Sequence, residues 1–188
     1  MLDGKETAVV WFNGPSARDL HHIPRQQLEI GCNFIEQHRV VDHVCCYDLP
    51  VMRELTQRGA NEGVSYWTRR RFGTKMFQTF DSGIRHGRFQ NVNGFCSGTL
   101  ALALAHHLGV RSVFLLGMDW QITNESLYDD RYTWRAFQPN KTSRSKWDFL
   151  EVASRVMEIT VVHDQPREFA GDLVWMDVAA FQDGVGST

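Results

Sequence analysis

Asn93-Gly94-Phe95-Cys96-Ser97-Gly98-Thr99-Leu100 carries the chain from a loop of small residues straight into an unusually apolar helix. At such a junction, unpaired backbone N–H groups and the positive end of the helix dipole converge. Ser97 and Thr99 add hydroxyl donors, so the stretch predicts a seat for an anion such as phosphate. The Leu- and Ala-rich run Leu100 to Leu108 continues the helix, and Gly109 ends it. Val113-Phe114-Leu115-Leu116 then reads as a buried strand leading into Gly117-Met118-Asp119-Trp120. A helix feeding such a strand, with a carboxylate at the strand's end, is a unit of an α/β sheet.

The same alternation extends to both sides. Ala8-Val9-Val10-Trp11-Phe12 reads as a first strand stopped by the turn formers Asn13-Gly14-Pro15-Ser16. Leu28 to Cys32 and Val40 to Tyr47 read as second and third strands, ending at Asn33 and Asp48. Pro50 opens a helix through about Arg58, and Val64 to Trp67 and Lys75 to Phe80 read as short strands. Residues 120 to 144 form a polar connection of a length usually tied to function. Lys146 to Glu158 has the apolar spacing of an amphipathic helix, followed by a strand from Ile159 to Val162. Phe169 to Phe181 shows no clear period, and the tail after Asp183 is expected to be loose. These elements predict a single Rossmann-like α/β domain with a mostly parallel sheet flanked by helices.

Composition narrows the function classes. A chain of 188 residues can bury roughly two-thirds of its unfolded surface in one domain. With a net charge of −2 and only the short basic run Arg69-Arg70-Arg71, it lacks the cationic surface of a nucleic-acid binder. No apolar run approaches the roughly 20 residues of a membrane span, and no signal segment is evident, so the expected location is the cytoplasm. Cys32, Cys45, Cys46 and Cys96 lack paired CxxC spacing, so the expectation is buried, reduced thiols and no metal site. On a strand, Cys45 and Cys46 would face opposite sides.

Asn13, Asn33, Asp48 and Asp119 all fall at strand ends. Each alone suits a turn or helix cap. Ligands of open α/β sheets, however, bind outside the carboxyl ends of the strands, so four such ends form a coherent rim. The dinucleotide fingerprint GxGxxG, a Walker loop and a GxSxG elbow are all missing.

Asn13-Gly14-Pro15-Ser16, Cys32-Asn33, Ser97-Gly98 and Leu115-Leu116-Gly117-Met118-Asp119, in that order, resemble the bacterial sialyltransferases of the Campylobacter lipooligosaccharide type, glycosyltransferase family 42. They also resemble a related Rossmann-like family of unassigned role. The resemblance spans about residues 8 to 163, and its densest part runs from Ser97 through Asp119. It implies a cytidine monophosphate sugar donor as ligand, a glycan acceptor, no cofactor and a homo-oligomer. By position, Asn13, Gly14 and Ser16 would meet the donor's phosphate and nucleotide, and Asn33 would bond nucleotide or sugar. Ser97 and Gly98, with Thr99 beside them, would hold the donor's sugar or its carboxylate, and Asp119 would complete the substrate-binding set. Asp48 stands where the family tends to have asparagine, replacing a donor by a carboxylate.

The family's reaction is an inverting transfer in which a histidine acts as base and two loop tyrosines stabilise the departing phosphate. Tyr128 aligns with one tyrosine, and Trp120 or Gln121 stands near the other. Pro139 to Ser145 contains no histidine where the family has its base, which leaves His163 as the catalytic candidate. Two other readings compete. One is a nucleotide-binding domain without catalysis. The other is a pterin diphosphotransferase-like enzyme, for which Asp48, Asp119, Asp129 and Asp130 would be the metal-binding carboxylates.

Overall fold

The computed structural model describes residues 7–26, 28–69, 75–80, 96–119, 148–164 and 173–186. Its eight strands are β1 (Thr7–Trp11), β2 (Glu29–Cys32), β3 (His43–Cys45), β4 (Ser65–Thr68), β5 (Phe77–Thr79), β6 (Ser112–Leu116), β7 (Glu158–Val162) and β8 (Val174–Met176). The helices are α1 (Leu49–Arg58), α2 (Ser97–His107), α3 (148–154) and α4 (Val178–Gly186). All strands join one sheet in the order β5-β4-β3-β2-β1-β6-β7-β8, and every pairing is parallel. The chain walks outward from β1 to β5, then returns to lay β6 against the other side of β1. That reversal creates a topological switch point between β1 and β6.

Parallel strands are covered on both faces, which explains their nearly continuous apolar character. Side chains alternate between two cores. Ala8, Val10, Ile30, Cys45, Val113, Leu115, Ile159 and Val161 meet α2 together with Phe149, Leu150 and Ala153 of α3. On the other face, Val9, Trp11, Val44, Leu116 and Val162 pack with Val51, Met52 and Leu55 of α1 and Phe181 of α4. Every residue of α2 from Ser97 to Ala105 is buried, as a helix that is apolar all round requires. Gly109, at φ +85°, supplies the left-handed stop after it.

Most of the expected elements are present, with three corrections. First, β3 spans three residues rather than Val40 to Tyr47. Before it, Val40 is 68% exposed and Asp42 takes the Glu29 N–H on its carboxylate at 2.9 Å. After it, the Tyr47 N–H leaves the sheet to bond Ser97 Oγ at 3.1 Å. Second, α3 ends at 154 rather than 158, because Glu158 already belongs to β7. Third, the C-terminal segment is not formless. Its strand is too short to show a period, and Asp177 Oδ1 accepts the Ala180 N–H at 2.7 Å at the start of α4, which continues past Asp183 to Gly186.

Beneath β1 and β2 lies a buried ion pair. Glu29 is fully buried and takes Arg39 Nε on Oε2 and Arg39 Nη2 on Oε1, both at 2.5 Å. Trp11 Nε1 donates to Oε2 at 3.0 Å, and the Gln26 N–H donates to Oε1 at 2.8 Å. The guanidinium lies 4.6 Å over the Trp11 ring and also bonds the His21 and Ile23 carbonyls. Nearly every hydrogen-bonding position of this pair is thereby filled, so truncating one partner strands the other in the core. Arg39→Met is expected to cost about 3–5 kcal/mol of unfolding free energy, read from a urea midpoint shift with an unchanged slope.

Candidate functional site

The turn after β1 and the turn after β6 are tied together at the switch point. The Phe12 N–H donates to the Leu116 carbonyl at 2.8 Å and the Gly14 N–H to the Gly117 carbonyl at 2.9 Å. Gly14 must be glycine, because a Cβ there would overlap both Asp119 Oδ2 and the Gly117 carbonyl. Gly117 adopts φ +71°, a left-handed turn that aims Asp119 back toward β1. Asp119 is only 5% exposed, and each of its oxygens is engaged. Oδ2 accepts the Ser16 N–H at 2.8 Å, and Oδ1 lies 2.9 Å from Nε2 of His163, the residue that follows β7.

On the β2 side, Asn33 holds the left-handed conformation, at φ +53°. Asparagine tolerates this better than most residues, and such backbone strain gathers at functional sites. Its Oδ1 accepts a hydrogen bond from Ser97 Oγ at 2.8 Å, while Ser97 Oγ accepts from the Tyr47 N–H. Ser97 thus pins the first turn of α2 to the ends of β2 and β3. Gly98 permits this approach, since a Cβ there would run into the Phe12 ring. Thr99 closes the N-terminal turn of α2. Fully buried, it accepts the Cys96 N–H on Oγ1 at 2.9 Å, and its own N–H reaches the Cys96 thiol in a capping box. The Ser97 and Gly98 N–H groups remain as the orphan donors of the first turn.

The structure therefore gathers Asn13, Gly14, Ser16, Asn33, Ser97, Gly98, Asp119 and His163 along one edge of the sheet. Asp48 stands at the same edge, after β3, half-buried and with no capping bond from its side chain. Asn13 Oδ1 and Ser16 Oγ are buried without a hydrogen-bond partner. Buried polar atoms are nearly always satisfied, so these two have bonding capacity left for a bound water or a ligand. The N–H groups of Phe12, Gly14, Ser16 and Ala17 are all spent within the protein, beside the Asp119 carboxylate. This corner suits hydroxyl or amino groups, whereas the first turn of α2 suits an anion.

Tyr128, Asp129, Asp130, the polar connection around them and the segment before α3 lie outside the described residues. Among the described residues, no three His, Cys, Asp or Glu side chains come together as a metal ion would require. Cys32, Cys45 and Cys46 are buried and Cys96 is half-buried, all as free thiols. Burial pushes the Cys32, Cys45 and Cys46 thiols up, away from the reactive thiolate.

Sequence reading missed Glu36, in the 3₁₀ turn Ile35–Gln37 just beyond Asn33. Its Oε2 is buried and unpartnered. Burial raises its carboxyl to about 7, against smaller opposing pulls from its own backbone hydrogen bond and from Arg58. The only signal was one acid among Phe34, Ile35 and the apolar strand before them.

Comparison with known proteins adds the fold and no family. No family model matches the chain, and no curated protein matches its sequence. Among solved structures, it is similar to the monofunctional α-2,3-sialyltransferase Cst-I from Campylobacter jejuni, at 13% identity and a TM-score of 0.58 over 92% of this chain and 82% of that one. It is also similar to the sialyltransferase CST-II in complex with a trisaccharide acceptor and CMP, at 13% identity and a TM-score of 0.53 over 82% and 80%. A third match is CstII from Campylobacter jejuni with the substrate analogue CMP-3FNeuAc, at 14% identity and a TM-score of 0.50 over 82% and 79%. Among the described residues, no helix is long and apolar enough to cross a membrane.

A carboxyl with a folded value near 7 and an unfolded value near 4.5 binds more protons in the folded state between those limits. Its contribution is complete below about pH 4.5 and is lost as pH rises through about 7. Glu36→Gln is therefore expected to raise the thermal midpoint at pH 8 more than at pH 5, measured by scanning fluorimetry at both.

Proposed function

We propose that this chain binds a cytidine monophosphate-activated sugar in the crevice outside β1 and β6, and transfers that sugar with inversion to a hydroxyl of a glycan acceptor. The observation that carries this reading is the Ser97–Asn33 hydrogen bond. It sets the orphan N–H groups of α2 beside the rim, opposite the unpartnered Asn13 and Ser16 oxygens. The likeness of the whole sheet to sialyltransferases solved with CMP and with a CMP-sugar analogue supports the choice of donor.

In this reading the donor lies across the crevice. Its phosphate or sugar carboxylate faces the first turn of α2, where Ser97 and Gly98 offer backbone donors and Asn33 offers Nδ2. Its nucleoside faces the corner of Asn13, Ser16 and Asp119, where hydroxyl groups can donate to buried oxygens. Tyr128, from the polar connection, is assigned to the departing phosphate. Metal has no part in the scheme, because the donors of α2 and its dipole answer the anionic charge.

A thermal-shift scan across cytidine, uridine, guanosine and adenosine nucleotides, with and without magnesium, tests this. Cytidine monophosphate at about 100 times its dissociation constant adds about 2.7 kcal/mol to stability, a rise of roughly 5 °C or more for a chain of this size. Ser97→Ala and the 2′,3′-dideoxy nucleotide should each weaken binding about tenfold. No shift with any nucleotide would refute the ligand class. A magnesium-dependent shift with a purine nucleotide would instead favour the diphosphotransferase reading. Binding without transfer or hydrolysis of a donor would leave a nucleotide-binding domain.

A further inference from the structure

Glu36 sits in the middle of the 3₁₀ turn beyond Asn33, and its surroundings are wrong for a charge. Its Oε2 is buried without a hydrogen-bond partner. The groups that act on it come from three other elements: Arg58 of α1, Cys46 after β3 and Tyr66 of β4. Arg58 is engaged by Glu54 and lies 5.0 Å over the Phe34 ring, while Asp48 faces Cys46. On the turn's own side, His38 stacks on His21 at 5.9 Å and Arg39 is taken by Glu29. Burial pushes the Cys46 thiol and the Tyr66 phenol up, so both stay neutral where the carboxyl titrates. Of Glu36, Cys46 and Tyr66, only Glu36 changes charge near neutral pH, because burial has raised it to about 7. A neutral carboxyl loses far less than a carboxylate when left dry, so this turn suits the protonated form.

The turn can pass a change at Glu36 only toward the rim. Its far end is fixed, because Arg39 is locked onto Glu29 and the His38 and Arg39 N–H groups both bond the Ile35 carbonyl, at 2.9 and 3.0 Å. Its start is pressed onto β2, where a Cβ on Gly31 would overlap the Ile35 side chain. What remains is Asn33, whose left-handed backbone is held by its N–H on the Cys45 carbonyl at 3.1 Å and by its Oδ1 on the Ser97 hydroxyl at 2.8 Å. We propose that Glu36 is a pH-sensitive latch on this turn: neutral, it lies dry and Asn33 stays on Ser97; ionised, it is drawn toward water and Arg58, and the Asn33–Ser97 bond gives way. The proton is exchanged with solvent and no covalent bond changes. The rim is then fully formed below about pH 7 and loosens as pH rises through that value. Its effect on nucleotide affinity rests on the sugar-donor reading above, whereas the latch itself operates without ligand.

Three measurements on the full chain test the proposal. Carbon-13 NMR should show the Glu36 side-chain carboxyl titrating near pH 7, and a midpoint at the ordinary 4.5 would overturn the latch. Amide hydrogen exchange reads the rim without a ligand. The Tyr47 N–H, which donates to Ser97 Oγ, should exchange about tenfold faster in the wild type than in Glu36→Gln at pH 8.5, and at the same rate in both at pH 6. Equal rates at both pH values would overturn the link from Glu36 to Ser97. Should Glu36→Gln not fold, the wild-type Tyr47 amide referenced to that of Leu115, in the core of β6, makes the same comparison across the two pH values. With cytidine monophosphate as probe, the ratio of wild-type to Glu36→Gln dissociation constants should rise about fivefold from pH 6 to pH 8.5, a ratio that cancels the titration of the nucleotide's own phosphate. A constant ratio would overturn the coupling to binding. If neither protein binds the nucleotide, the sugar-donor reading fails, and the exchange measurement still decides the latch.

Discussion

The Asp119 carboxylate is the constraint on which the architecture of this edge depends. With one oxygen on the Ser16 N–H and the other on His163, it joins the exits of β1, β6 and β7, three adjacent strands that the chain visits far apart in sequence. Two glycines make the join possible. Gly117 turns the backbone so that the carboxylate faces β1, and Gly14 leaves room for it to arrive. The Phe12, Gly14 and Ser16 N–H groups of the turn after β1 are taken up by this closure, whereas those of Ser97 and Gly98 at the start of α2 are not.

Beneath the edge, rigidity comes from two-sided burial. Each strand sends alternate side chains into separate cores, so slippage by one residue would exchange the two sets at once. Glu29 and Arg39 add a polar element that fits only one arrangement, with Trp11 donating to the carboxylate while its ring lies against the guanidinium. Position rather than raw stability is what such a pair supplies. It anchors the start of β2 and the turn beyond Asn33, and thereby the left-handed residue that Ser97 reaches.

Much of this was legible in the sequence because local chemistry and tertiary need agree. Apolar runs of four or five residues ending at Asn13 and Gly117 marked β1 and β6, Leu28 to Cys32 before Asn33 marked β2, and Ser97-Gly98 before an Ala/Leu run marked α2. The limits of β3 were not legible, since a side chain from α2 captures its exit and Asp42 its entrance. Nor was β8, whose three residues acquire meaning only by pairing with β7. Within the rim, the strand-end residues could be named individually. Their mutual bonds could not, because the spans between Asn33 and Ser97 or between Asp119 and His163 are closed by sheet order, which no local pattern encodes. Glu36 was hidden for a related reason: its burial follows from how the turn after β2 lies against its neighbours.

Cys45 and Cys46 illustrate how far the two-faced sheet reaches into chemistry. Adjacent in sequence, their thiols enter different cores, Cys45 toward α2 and Cys46 toward α1, with the backbone of β3 and its exit between them. A disulfide closes only when the two Cβ atoms approach to about 4 Å on converging vectors, and this geometry denies it. Oxidative ring closure between these neighbours would thus be a chemical record of molecules whose sheet had come apart, written into the covalent chain and readable after refolding.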